Sequence, residues 1–103
     1  MANYLLLYHG GGMPETDEEK QKVMAEWGKW IESVGSDMVD AGNPCSNVKR
    51  VTQSGVNEFS GDRVTGYSIV KADHMDKAVE HAKGVPLLAD GGSVDIYETF
   101  PAM

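Results

Sequence analysis

The chain has 103 residues, a formal charge of −7 and a sequence pI near 4.7, with nine Lys and Arg scattered among sixteen Asp and Glu. Scattered cations exclude the clustered basic stripes that nucleic-acid backbones and anionic membrane surfaces require, so neither is an expected partner. The length predicts one domain over residues 1–103, with a core modest enough that a partner subunit helps to cover apolar edges.

The first apolar run, Asn3-Tyr4-Leu5-Leu6-Leu7-Tyr8-His9, stops at Gly10-Gly11-Gly12. It reads as a strand buried on both faces, far too short to cross a bilayer. The start of the chain lacks the basic flank and length of a secretion signal, and the single cysteine, Cys45, cannot close an internal disulfide. A reducing cytoplasm is the expected location.

After Pro14, Thr16 or Asp17 is placed to cap a helix, with Glu18 and Glu19 where the positive end of the helix dipole favours carboxylates. Val23, Trp27, Trp30, Ile31 and Val34 then recur at helical spacing along one face, and Gly35 supplies a left-handed stop. Residues 38–42 read as a short strand ending at Asn43-Pro44. Residues 48–53 read as an extended stretch closed by Ser54-Gly55, with a hairpin continuing through Val56 to Phe59.

Residues 65–71 alternate and are rich in strand formers. Asp73 is the expected cap of a second helix that carries Met75, Ala78, Val79 and Ala82 on one face and stops at Gly84-Val85-Pro86. Asp90-Gly91-Gly92 makes a turn, and residues 93–99 make the last strand. This order predicts an α+β fold of the ferredoxin-like, split βαβ kind, an antiparallel sheet with two helices on one face. Val64, Ile69, Val70, Val94, Ile96 and Tyr97 cannot all point at those helices. A homodimer that pairs the other sheet faces is therefore expected.

His9, at the end of the first strand beside the glycine run, is the best candidate for a general base, or else a strand-end histidine bonded to backbone or water. Asp40 and Asn43 could orient it if the first two strands end in one mouth, or could simply serve the Gly-Pro turn. Trp27 and Trp30, one helical turn apart, together with Tyr67, are candidates to line a helix-sheet pocket for a flat organic ligand, or to fill the core. His74 and His81 read as solvated, and a three-histidine metal site with His9 is not expected. The glycine run lacks the Lys-Ser/Thr of a phosphate loop, and Cys45 reads as a small half-buried residue.

Taken in order, Tyr4-Leu5-Leu6-Leu7-Tyr8 with its glycines, residues 24–31, Gly66-Tyr67-Ser68-Ile69-Val70 and residues 91–96 resemble the YCII-related domain family, closest to its DGPF-type branch. The resemblance implies a ferredoxin-like domain whose sheets pair across a dimer into an α/β barrel. It also implies kinship with isomerases, dehalogenating enzymes and cofactor-free oxygenases. Two departures matter. Phe59-Ser60-Gly61-Asp62 stands where many relatives carry Asp-Gly-Pro-Phe, and Trp27 and Val85 occupy the positions of the family's proposed catalytic His and Asp.

Two functions follow as expectations. One is a cofactor-independent enzyme, or a degenerate one, that binds a small organic molecule without a metal. The other is a non-catalytic dimeric scaffold or ligand-binding regulatory module whose pocket is packed shut.

Overall fold

In the computed structural model, which describes residues 1–11, 15–59 and 61–102, six strands and two helices follow one another as β1 (Ala2–His9), α1 (Asp17–Val34), β2 (Met38–Asp40), β3 (Lys49–Thr52), β4 (Gly55–Glu58), β5 (Val64–Ala72), α2 (Met75–Ala82) and β6 (Ser93–Glu98). Gly12 of the glycine run, Pro14 ahead of α1 and Ser60 of the Phe59–Asp62 segment lie outside the described residues. β2, β5, β1 and β6 form one sheet in that order, with every neighbouring pair antiparallel. The two β-α-β units interlock so that β1 and β5 occupy the centre, which is the ferredoxin-like arrangement.

Strand alternation assigns the two faces. Tyr4, Leu6 and Tyr8 of β1 and Ser68, Val70 and Ala72 of β5 are buried, and Trp30 and Val34 of α1 with Ala78 and Ala82 of α2 complete the same core. Leu5, Leu7, Tyr67 and Ile69 point the other way and are half-buried. β1 is therefore buried on one face rather than both, because both helices lie on the same side. Among the hydrophobic positions that could not all face the helices, Val70, Val94 and Ile96 do, whereas Ile69 and Tyr97 lie in the open-face rows.

The α1 entrance follows from local chemistry. Thr16 Oγ1 accepts from the Glu19 backbone N–H at 3.1 Å, and the Glu19 carboxylate reaches back to the Glu15 N–H at 3.0 Å. At the far end Gly35 adopts φ 65° and its N–H bonds to Ile31 O. At α2 the cap is His74, not Asp73: the His74 ring Nδ1 accepts from the Lys77 N–H at 3.3 Å. Gly42 is required where the chain leaves β2, since at φ 81° a Cβ there would lie 1.6 Å from the Tyr67 carbonyl oxygen.

β3 and β4 form a separate two-stranded ribbon turned at Gln53-Ser54, and every residue of both strands is exposed. The radius of gyration is 15.1 Å, above the roughly 13 Å of a compact domain of this size.

Candidate functional site

The open face of the sheet gathers polar chemistry at the carboxyl end of β1. One row runs Tyr67, Leu7, Asp95 across β5, β1 and β6, and the next brings His9 opposite Ser93. The β1–β5 register slips between Tyr8 and His9, leaving Thr65 as the extra residue of a bulge. Thr65 Oγ1 lies 3.2 Å from both the Tyr8 and the Gly10 carbonyl oxygens, which pins the bulge on either side of His9. Bulges of this kind re-aim a side chain at a strand end.

His9 is 8% exposed. Its Nδ1 lies 3.1 Å from the Arg63 carbonyl oxygen and its Nε2 2.9 Å from Asp95 Oδ2. Asp62 Oδ2 stands 3.6 Å from Nδ1. Carbonyl and carboxylate oxygens both accept, so a ring with a proton on each nitrogen satisfies both contacts, and a ring with one proton satisfies only one. The two carboxylates face solvent, with side-chain exposures of 55% for Asp95 and 83% for Asp62, so the imidazole is a buried group with an exposed acidic rim. Behind it Gly92 is obligatory, because a Cβ there would meet the His9 carbonyl oxygen at 2.8 Å.

The carboxylate on His9 is Asp95, and the expected His9–Asp40 pairing does not form. Asp40 sits in register with Ile69 on an edge strand separated from β1 by β5, roughly 10 Å across two strand spacings. Its Oδ1 instead accepts from the Gly42 N–H at 2.8 Å, the turn role. Asn43 enters through its backbone, whose carbonyl accepts from the Tyr67 N–H at 3.3 Å.

Trp27 and Trp30 do not share a pocket with Tyr67, since alternation turns Tyr67 to the face opposite the helices. Trp27 packs edge-on against Tyr8, ring centroids 5.1 Å apart, and against Trp30 at 5.8 Å. Trp30 is a core residue whose Nε1 donates to the His81 carbonyl at 2.8 Å. An open depression of about 560 Å³ lies beside it, bounded by Lys29, Lys83, Val85, Pro86 and Leu88. Tyr8 Oη donates to Ser68 Oγ at 2.7 Å, and burial, partly opposed by that bond, pushes its phenol up to about 12.

Sequence reasoning missed Asp95 and the Arg63 carbonyl. The signal for Asp95 was available: an acid between Val94 and Ile96 in an alternating strand, with β6 beside β1 in the expected topology. His81 is half-buried rather than solvated, and its Nε2 lies 3.2 Å from Asp37 Oδ2, joining α2 to the turn before β2. Cys45 is exposed. Among the described residues no group of three or more His, Cys, Asp or Glu is arranged to hold a metal ion, and no helix is long and apolar enough to cross a membrane.

No protein-family model matches the chain, and no curated protein does. Among solved structures it is similar to 5-chloro-2-hydroxyhydroquinone dehydrochlorinase (TftG) from Burkholderia phenoliruptrix AC1100, in complex with 2,5-dihydroxybenzoquinone. The identity is 14%, 93% of each chain is covered and the TM-score is 0.54. At that identity the likeness shows the fold: a mixed α+β domain with a four-stranded antiparallel sheet and two helices.

Proposed function

We propose that the chain is a YCII-related domain that works as a homodimer in the cytoplasm and binds a small cyclic organic molecule on the open sheet face beside His9. The observation that carries this reading is the buried imidazole with Asp95 on one nitrogen and a backbone carbonyl on the other, next to Leu7 and Tyr67. A ring with a proton on each nitrogen donates Nδ1–H to the Arg63 carbonyl and Nε2–H to Asp95. A ligand oxygen that takes the place of this exposed carboxylate accepts from Nε2–H, so His9 positions the ligand and can pass it that proton as a general acid. Apolar Leu7 and the Tyr67 ring offer a flat surface for a cyclic ligand.

The solved complex of the similar dehydrochlorinase supplies the probe, 2,5-dihydroxybenzoquinone. Calorimetric titration of the wild type is expected to give saturable binding, and His9→Gln to weaken it by about tenfold. No saturable binding by the wild type would refute the quinone-like ligand. Equal binding by His9→Gln, with an unchanged melting temperature, would move the ligand elsewhere.

One observation favours the non-catalytic reading. Tyr8, Trp27 and Trp30 interlock edge to face and fill the space between α1 and the sheet, the pocket that the aromatic spacing suggested. In that reading the open face is a binding or pairing surface alone.

A further inference from the structure

Thr65 is the residue that the β1–β5 ladder leaves over. Leu7 faces Tyr67 and Tyr8 faces Gly66, so an unbroken register would set His9 opposite Thr65, yet His9 faces Val64. In the slipped register Arg63 is one residue from the position opposite His9, where in the unbroken one it would be two. Its carbonyl oxygen thereby comes to lie 3.1 Å from Nδ1.

The Thr65 hydroxyl sits at the centre of this slip. Its Oγ1 lies 3.2 Å from the carbonyl oxygens of Tyr8 and Gly10, the residues on either side of His9, and its single proton is shared between them. Directly after His9 the chain leaves the strand through Gly10 at φ 74° and Gly11 at φ 86°, so the contact with Gly10 holds backbone that lies beyond the ladder. Thr65 is itself anchored, since its carbonyl accepts from the Cys45 N–H at 2.9 Å.

We propose that Thr65 is the positioning residue of the site. Its hydroxyl fixes the His9 backbone from both sides, which keeps Nδ1–H on the Arg63 carbonyl and holds Nε2 toward the open sheet face where the ligand oxygen binds. A donor that must meet a ligand at hydrogen-bond distance loses affinity when its ring is free to swing. Thr65 acts only through the imidazole. Valine has the same shape without the donor, and serine has the donor without the methyl, so the two substitutions separate hydroxyl from shape.

The inference rests on the ligand site proposed above, but its first readout needs no ligand. Nitrogen–proton correlation spectra of the His9 ring are compared for the wild type, Thr65→Val, Thr65→Ser and Val34→Ala. In the wild type Nδ1–H is expected as a resolved, slowly exchanging signal, because the residue is 8% exposed and a carbonyl oxygen stands within hydrogen-bond reach. Thr65→Val is expected to lose that signal to exchange and Thr65→Ser to restore it. Val34→Ala, a core truncation on the helix side of the sheet, is expected to lower the melting temperature and keep the signal. Thr65→Ala takes the place of Thr65→Val if the latter does not fold. The Kd for 2,5-dihydroxybenzoquinone, by calorimetry, is expected to rise about threefold in Thr65→Val and to stay within about twofold in Thr65→Ser.

A ring signal that persists in Thr65→Val overturns the proposal, as does one that Thr65→Ser fails to restore or that Val34→Ala also loses. Loss of the signal in Thr65→Val with unchanged affinity overturns it as well. A wild type that shows the ring signal but binds no quinone refutes the ligand instead, and the ring spectra alone then decide the role of Thr65.

Discussion

His9 and Asp95, 86 positions apart in sequence, meet at 2.9 Å because β6 returns beside β1 with Leu7 opposite Asp95. The contact is a consequence of topology: the last strand of the second β-α-β unit lies next to the first strand of the chain.

This relationship separates Asp95, beside His9, from Asp40, on the far edge of the sheet. Asp95→Asn removes the negative charge that favours a proton on Nε2, the donor that a ligand oxygen would use. Binding of 2,5-dihydroxybenzoquinone is expected to weaken by about 1 kcal/mol, roughly fivefold in Kd, measured by calorimetry. Asp40→Asn is expected to leave the affinity unchanged, because its carboxylate serves the Gly42 turn.

The two tryptophans differ in burial, and their removal should differ in cost. Trp30 is 4% exposed and donates a hydrogen bond to His81 O. Trp30→Ala is expected to cost about 3 to 5 kcal/mol in denaturant unfolding. Trp27 is half-buried, so Trp27→Ala is expected to cost less, about 1 to 3 kcal/mol, mostly lost ring contacts with Tyr8 and Trp30. Equal losses would contradict the assignment of core and margin.

High pH should act through Tyr8. Its phenol is raised from 10.0 to about 12 by burial. The folded chain therefore holds this proton more tightly than the unfolded one, and the associated stability is present below pH 10 and is lost as pH climbs from 10 to 12. Urea unfolding across that window is expected to show the decline, and Tyr8→Phe to flatten it. A decline of equal steepness in Tyr8→Phe would assign it to other groups.

Much of the fold was legible in residues that act locally. Thr16 before three carboxylates marks the start of α1, Gly35 marks its end, and the alternation from Thr65 to Lys71 marks β5 and its two faces. The exceptions have physical reasons. Asp73 looked like a cap, but backbone geometry gives that place to His74, whose ring nitrogen does the same work. Tyr67 looked like a pocket partner for Trp27, yet a strand turns successive side chains to opposite faces, and the buried Gly66 and Ser68 take the helix side. The His9 partners were harder to read. The Arg63 carbonyl carries no side-chain signature at all, and its approach depends on the bulge at Thr65.

The most direct measurement of the central claim is a nitrogen–proton correlation titration of the wild type with 2,5-dihydroxybenzoquinone, with the histidine side-chain nitrogens followed alongside the backbone amides. The expected result is saturable change centred on the His9 ring, Leu7, Tyr67 and Asp95, on the open face of the sheet. Changes centred on Lys83, Val85 and Leu88, in the depression beside Trp30, or no saturable change at all, would contradict it.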